Sequence, residues 1–257
     1  MRVIAAGLTL ALALLAFAAC AGGSDEETLT VFAASSLTEA FKEAAAAFES
    51  DHPGINVRFN FAASSALATQ INERAPADVF ASADSAQMQA AAAAVDEPAV
   101  FARNLPVVVV PKDSPLQRFD ELATPGLRLV LASPEVPIGR YSREILSRAS
   151  DPAQGIAPDF SDRVLANLKS EEANVRAVLT KVQLGEAEAG IIYRTDASTA
   201  ASDVRAIDIP PRYNVVAEYP VAVVTGSEHR QAAEAFVAFL RSPRGIAILE
   251  RFGFMQP

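Results

Sequence analysis

The chain has 257 residues, of which 51% are hydrophobic, and it carries 22 Lys and Arg against 31 Asp and Glu, a formal net charge of −9. This length is sufficient for one large domain or two modest lobes, each with its own core. So acidic a chain is a poor nucleic-acid binder, because phosphate contacts need clusters of Lys and Arg. It also gains no long-range attraction for an anion, so any bound anion must be held by local geometry.

Residues 1–19 predict a secretory signal peptide. Arg2 is the only charge in this segment, an apolar run follows from Val3, and small residues precede Cys20. Such a segment is removed from the mature protein and takes no part in the fold. The alternative is a transmembrane anchor, which needs about 20 apolar residues. The apolar run is slightly shorter than that, and charged residues follow it at once.

Cys20 is the sole cysteine, so no disulfide can form within the chain. Its position after two alanines resembles the lipobox of bacterial lipoproteins, although Phe17 stands where that motif usually has Leu. We therefore expect a lipid anchor on Cys20 and a flexible tether over 20–27. The protein is then exported and held at the membrane, in the periplasm or at the cell surface. An ordinary signal peptide that happens to contain a cysteine is the alternative.

From Leu29 onwards, short apolar runs alternate with helical patterns. Strands are predicted at 29–33, 56–61, 78–81, 107–110, 128–132, 190–193, 204–209 and 221–224, and helices at 37–49, 65–74, 84–94, 141–148, 175–184, 231–240 and 244–251. Several strands are continuous runs of Val, Ile and Leu, typical of parallel strands covered on both faces. Strands and helices in alternation predict doubly wound α/β sheets.

Two Val-rich runs, 105–110 and 219–224, are preceded or bracketed by prolines. This placement suits strands that enter or leave a sheet edge. We interpret both runs as crossover strands between two lobes. One lobe is predicted over 28–106 and 222–257, and the other over 107–221.

Four predicted helix starts follow a strand and a short turn of small or hydroxyl residues, at 33–36, 62–65, 137–139 and 173–175. In open α/β sheets, ligands bind beyond the carboxyl ends of the strands. The free N–H groups of helix N-termini lie there and carry the positive end of the helix dipole. Such ends bind oxyanions without a formal positive charge.

Each of these starts has a plainer interpretation as a helix cap. Ser36 and Glu39 match a capping box, and Ser64, Ser65 and Asn174 are good N-cap residues. An anion site requires that both lobes present such helix starts to one cleft.

Eight segments resemble, in family order, the periplasmic molybdate-binding proteins of ABC importers. They are VFAASSLT at 31–38, FAASS at 61–65, APADVFASAD at 75–84, PEVPIGRY at 134–141, NVR at 174–176, GIIY at 190–193, YPVAVV at 219–224 and FGF at 252–254. The resemblance implies a class II solute-binding fold, with two lobes, each a mainly parallel sheet flanked by helices. It implies a monomer, not an enzyme, that captures molybdate or tungstate in the interlobe cleft and delivers it to a membrane permease. No cofactor is expected. A protein-coordinated metal cation is not expected either, because the sequence has no second Cys, no His-x-x-x-His pair and no acidic loop of calcium spacing.

Carried over residue by residue, the resemblance assigns five ligand-binding residues. Ser36 and Ser64 would each offer a hydroxyl and a backbone N–H from the first lobe. Ile138 and Val175 would offer backbone N–H groups from the second lobe, and Tyr193 its phenolic O–H. Another hydroxyl, at residue 35, stands where the family commonly has a small apolar residue, and it is a competing donor.

Charged residues near these positions need a separate interpretation. We expect Arg140, Arg176 and Arg194 to face solvent or carboxylates around the cleft, since a guanidinium in the site would favour sulfate or a sulfonate. Asp84 is expected to cap the helix that follows it, and Asp78 to help the preceding turn.

Two other functions stay open at the level of the sequence. The first is binding of another solute, such as sulfate or ferric ion, although only Tyr141 and Tyr193 lie near the predicted cleft to supply the tyrosine oxygens that ferric ion needs. The second is an extracytoplasmic α/β hydrolase with Ser36 or Ser64 as nucleophile. A hydrolase needs a base beside the serine, and neither histidine falls in a predicted cleft turn.

Overall fold

A computed structural model describes residues 27–257. The predicted signal peptide and Cys20 lie outside the described residues. Within the described part of the chain, no helix is both long and apolar enough to cross a membrane.

The described residues form two sheets and nine α-helices. The strands are β1 (Glu27–Ala34), β2 (Ile55–Ala62), β3 (Val79–Ala81), β4 (Ala99–Asn104), β5 (Pro106–Pro111), β6 (Leu129–Ala132), β7 (Leu168–Glu172), β8 (Ala189–Tyr193), β9 (Val204–Asp208) and β10 (Ala217–Val223). The helices are α1 (Thr38–Asp51), α2 (Ser64–Asn72), α3 (Ser85–Ala90), α4 (Pro137–Ala149), α5 (Phe160–Ala166), α6 (Val175–Gln183), α7 (Arg194–Thr199), α8 (Arg230–Leu240) and α9 (Pro243–Arg251).

The two sheets have equivalent topologies. The first has the strand order β2-β1-β3-β10-β4 and the second the order β7-β6-β8-β5-β9. In each sheet the first three strands are parallel, and the fourth is antiparallel to both of its neighbours. The predicted fold, two lobes that each contain a mainly parallel α/β sheet, is confirmed.

The interpretation of the two Val-rich runs as crossover strands is wrong. β5 pairs only within the second sheet and β10 only within the first, and each is the antiparallel strand of its sheet. Their apolar sequences reflect burial, since Val107 to Val110 are fully buried. The chain passes between the sheets at Leu105 and again between β9 and β10, so residues 217–221 pair in the first sheet although the predicted second lobe extends to 221.

Elements outside the apolar patterns were not predicted. β7 has the sequence LKSEE and is only partly buried, so it shows no run of apolar residues. β4 and the short helices α5 and α7 were missed as well. Helix α1 follows its predicted pattern, with a buried face that includes Ala40, Phe41, Ala44 and Phe48. This face packs α1 into the hydrophobic core of the first lobe.

Candidate functional site

A small cavity lies where the carboxyl ends of the parallel strands of the two lobes meet. From the first lobe it is lined by the turns that follow β1, β2 and β3, and from the second by those that follow β6 and β7 and by the end of β8. Its lining residues include all five predicted ligand residues, Ser36, Ser64, Ile138, Val175 and Tyr193. The competing hydroxyl of Ser35 lines the same cavity. The structure thus brings together residues that are as far as 157 positions apart (193 − 36).

Ser36 lies in a one-turn 3-10 helix between β1 and α1, and it is buried. Its hydroxyl oxygen is 2.9 Å from the hydroxyl of Tyr219. The predicted capping box is wrong, because α1 begins at Thr38 and has no side-chain cap. The other predicted member of that box, Glu39, forms an ion pair with Arg176 of the other lobe instead. Ser36 is therefore free of any capping role.

Ser64 is the first residue of α2, and it does not cap that helix either. Ala63 occupies the N-cap position, and no side chain caps the helix, so the prediction of Ser64 or Ser65 as cap is wrong. The buried hydroxyl oxygen of Ser64 accepts the backbone N–H of Ala83 at 2.9 Å. Because the oxygen already accepts one bond, its own proton remains available to a ligand.

Ile138 is the second residue of α4, and its backbone N–H is the first that this helix can present. Pro137 occupies the first helical position and has no N–H. The next residue, Gly139, is required by close packing, since a Cβ there would lie 1.9 Å from the carbonyl oxygen of Ser133. The start of α4 thus lies directly on the turn that follows β6, and this contact fixes the position of the Ile138 amide.

Val175 is the first residue of α6. The side chain of Asn174 accepts the backbone N–H of Ala177 at 3.0 Å, so the predicted N-cap at Asn174 is confirmed. The cap satisfies one of the free donors of the helix start and leaves the Val175 N–H without a partner inside the helix. The start of α6 therefore presents the Val175 N–H as a donor, whereas the Asn174 side chain only caps the helix.

Tyr193 ends β8 and is 1% exposed. Its hydroxyl has no hydrogen-bond partner among residues 27–257. Burial raises the pKa of this hydroxyl well above its ordinary value, so it stays protonated and is a donor. A buried polar group without a partner costs about 1–3 kcal/mol. An acceptor inside the cavity would remove that cost.

The three arginines beside the site are all occupied by carboxylates, as predicted. Arg140 pairs with Asp84 at 2.9 Å and Arg194 with Asp208 at 2.7 Å, and no guanidinium lines the cavity. Asp84 also accepts the backbone N–H of Gln87 at 2.7 Å, which confirms that it caps α3. The paired carboxylates thereby neutralise the positive charges of these arginines beside the cavity.

Arg176 is held by two carboxylates, one from each lobe. Its Nε lies 2.8 Å from Asp196, and it also pairs with Glu39 across the cleft. Burial raises the pKa of Asp196 to about 7, and the charge of Arg176 opposes this shift. No recognisable motif in the sequence marks this buried group, which follows Tyr193 by three residues. Tyr219 belongs to the YPVAVV segment at 219–224, but nothing in the sequence indicated a role for its hydroxyl.

Neither histidine of the chain is placed to act as a base at Ser36 or Ser64. The ring of His52 stacks on Phe48 at a centroid distance of 4.1 Å, and His229 lies 3.1 Å from Glu27. Neither histidine lines the cavity. In the described part of the chain, no group of three or more His, Cys, Asp or Glu is arranged to hold a metal ion.

Comparison with known proteins gives consistent similarities over nearly the whole described chain. A family model described as bacterial extracellular solute-binding protein matches residues 29–255. The molybdate-binding protein ModA of Mycobacterium tuberculosis is 39% identical over 235 residues, which cover 90% of this chain and 85% of that protein.

Two solved structures show the same fold at low sequence identity. The periplasmic molybdate-binding protein of Azotobacter vinelandii superposes with a TM-score of 0.77 at 20% identity, over 89% of this chain and 99% of that one. The sulfate-binding protein SubI of Mycobacterium tuberculosis gives a TM-score of 0.80 at 20% identity, over 90% and 87% of the two chains.

Proposed function

Because the chain belongs to the bacterial extracellular solute-binding protein family, we propose that it binds molybdate or tungstate outside the cytoplasm and delivers the anion to an ABC importer. It is a binding protein and not an enzyme. The observation that carries the proposal is the small interlobe cavity, into which uncharged donors of both lobes converge and where the Tyr193 hydroxyl has no protein partner among the described residues. The 39% identity to ModA of Mycobacterium tuberculosis supports molybdate as the ligand.

The donor set can hold a buried dianion. Such an ion is costly to bury unless its oxygens are hydrogen-bonded. Two serines with hydroxyl and amide, two further amides and one phenol provide about seven bonds, at roughly 1.5–3 kcal/mol each for a charged acceptor. The gross sum is about 10–20 kcal/mol, of which lobe closure and ordering consume a part. The remainder corresponds to a dissociation constant between about micromolar and nanomolar.

A site that contains only hydrogen-bond donors also discriminates among anions. A fully ionised tetrahedral anion accepts at every oxygen, whereas hydrogenphosphate needs an acceptor for its proton. Sulfate has the same charge and shape as molybdate, so its exclusion depends on the size of the cavity. Molybdate and tungstate are too similar in size to be separated by this site.

Ion pairs across the cleft support a closed conformation around the ligand. Arg140 and Arg176 of the second lobe reach Asp84 and Glu39 of the first. Closure of lobes over a ligand is a recurrent mechanism of binding proteins. In this proposal the ion pairs stabilise the closed conformation, and the closed protein docks on the permease.

The attachment of the protein to the membrane is a further part of the proposal. A lipid on Cys20 and the tether over 20–27 would keep a monomeric binding protein near its permease. Cell fractionation tests this arrangement: the wild type should sediment with membranes, and Cys20→Ala should be released. Equal release of both would contradict the anchor.

Isothermal titration of the delipidated protein with molybdate, tungstate, sulfate and phosphate tests the ligand. We expect one site per chain that binds molybdate and tungstate with similar affinity, and sulfate and phosphate far more weakly. Equal affinity for sulfate and molybdate would contradict the assignment.

A further inference from the structure

One turn of the first lobe touches both the anion cavity and the opposite lobe. It comprises residues 82–84, between β3 and α3, and it is buried. Ala83 lines the cavity, and its backbone N–H donates to the hydroxyl oxygen of Ser64 at 2.9 Å. The turn is therefore in direct contact with one of the proposed ligand-binding hydroxyls.

Asp84 ends this turn and divides its carboxylate between the two lobes. The Oδ1 atom accepts the backbone N–H of Gln87 at 2.7 Å and so caps α3. The Oδ2 atom accepts from the guanidinium of Arg140 at 2.9 Å. Asp84 is fully buried, and a buried carboxylate oxygen needs a donor. That donor comes from the second lobe, so it is present only while the lobes are together.

Gln87 adds a second contact across the cleft. Its side-chain amide donates to the backbone carbonyl oxygen of Glu135 at 3.2 Å. Glu135 precedes α4 and Arg140 lies in its first turn, so these two residues lie on either side of Ile138 in the chain. The start of α3 thus holds the start of α4, and with it the Ile138 amide, against the first lobe.

The other ion pair across the cleft is built differently. The side chain of Glu39 is 39% exposed, whereas that of Asp84 is 0% exposed. Arg176 also keeps a carboxylate partner in its own lobe, Asp196. When the lobes separate, water can solvate Glu39 and Arg176 retains Asp196, and exposed pairs contribute little. The bond between Asp84 and Arg140 is therefore the stronger barrier to opening.

We propose that Asp84 is a positioning residue that sets the rate at which the bound anion leaves. The inference rests on the proposed oxyanion site and adds a kinetic role to it. Asp84 does not line the cavity and acts through Ala83 on one side and Arg140 on the other. The anion leaves only after the lobes separate, which breaks the bond to Arg140. Association begins from the open form, where this bond is absent, so its rate depends little on Asp84.

Asp84→Asn removes the bond across the cleft and spares the fold. Asn is as good an N-cap as Asp, so α3 keeps its cap. The amide has a single oxygen, and when that oxygen caps α3 its NH2 group faces the guanidinium of Arg140, where a donor meets a donor. The unliganded variant should therefore melt at the wild-type temperature.

Stopped-flow tyrosine fluorescence at several molybdate concentrations separates the two rate constants, and the chain has no Trp to mask the signal. In Asp84→Asn the dissociation rate constant should rise about tenfold, while the association rate constant stays within about twofold. Asp208→Asn is the control, because it breaks the pair with Arg194 inside the second lobe, and it should keep both wild-type rate constants. A wild-type dissociation rate constant in Asp84→Asn would overturn the proposal.

Arg140→Gln tests the same bond from the other lobe without touching the cap of α3. Its dissociation rate constant should also rise about tenfold. The double variant with Asp84→Asn should exceed either single variant by less than about twofold, because both substitutions remove one bond. Effects that multiply would show that the two residues act separately and would overturn the proposal. A wild type that binds no molybdate would instead reject the proposed function itself, so the two failures are distinguishable.

Discussion

The two lobes use the same sheet topology but supply different kinds of donor. The first lobe offers the hydroxyls of Ser36 and Ser64, which also bond the Tyr219 hydroxyl and the backbone N–H of Ala83 respectively. The second lobe offers backbone N–H groups at the starts of α4 and α6, together with one phenol. A side-chain donor is lost when its residue is replaced, whereas a backbone donor is lost only when its helix moves. The same cavity is therefore sensitive to substitution for different reasons on its two sides.

The largest expected effect concerns a carboxylate buried inside the second lobe. Burial raises the pKa of Asp196 to about 7, so the folded state holds this proton over a pH range in which the unfolded state has released it. The free energy of unfolding should therefore fall as pH rises from about 4 to about 7. At about 1.4 kcal/mol per pKa unit, the loss is at most about 4 kcal/mol.

Denaturant unfolding of the wild type and Asp196→Asn across this pH range checks the effect. The variant should lack the fall attributed to Asp196. Asp208→Asn, which changes an exposed carboxylate of the same lobe, should keep the wild-type profile. Parallel profiles for wild type and Asp196→Asn would show that the carboxyl is ionised throughout.

Gly139→Ala tests the backbone donors of the second lobe. The new Cβ would meet the carbonyl oxygen of Ser133, so the start of α4 and the Ile138 N–H must shift. We expect molybdate affinity to fall by more than about a hundredfold, about 3 kcal/mol. Gly226→Ala is the control, because no atom lies within 4 Å of a Cβ at that glycine. Wild-type affinity in Gly139→Ala would mean that the amide at the start of α4 is not used.

Ser36→Ala and Ser64→Ala test the side-chain donors of the first lobe. Each removes one hydrogen bond to a charged acceptor, so titration should show a loss of about 1.5–3 kcal/mol in molybdate binding. Ser65→Ala changes the neighbouring serine of α2, which does not line the cavity, and should bind like the wild type. If the serine variants lose stability but keep full affinity, the two hydroxyls do not contact the anion.

The smallest effect on binding is expected for Ile138→Val. The substitution retains the backbone N–H and removes one buried methylene, so unfolding should become easier by about 0.5–1.5 kcal/mol. Molybdate affinity should stay within about twofold of the wild type by titration. A tenfold weaker affinity would show that the side chain, and not only the amide, determines binding.

The sequence predicted well those features that depend on burial or on a strong local pattern. Continuous apolar runs predicted the central strands, and the four strand-to-helix turns predicted where the cavity lies. The same runs led to a wrong placement of the lobe crossing. A strand such as β5 is apolar because it lies inside one sheet, between β8 and β9, and not because it passes between the lobes. β7 was missed because charged residues dominate it.

Contacts between distant residues were beyond prediction from local patterns. Ser36 and Glu39 match a capping box, yet each bonds a partner far along the chain, Tyr219 and Arg176 respectively. No pattern in the sequence indicated a role for Asp196, because that role results from its burial beside Arg176 in the folded protein. Such roles are set by tertiary packing, which overrides local capping preference.

A crystal of the protein soaked in molybdate tests the central claim most directly. We predict an anomalous molybdenum peak in the interlobe cavity, with the oxygens of the anion within hydrogen-bond distance of the Ser36, Ser64 and Tyr193 hydroxyls and of the helix-start N–H groups. An empty cavity, or an anion held by a guanidinium such as that of Arg140 or Arg176, would contradict the account.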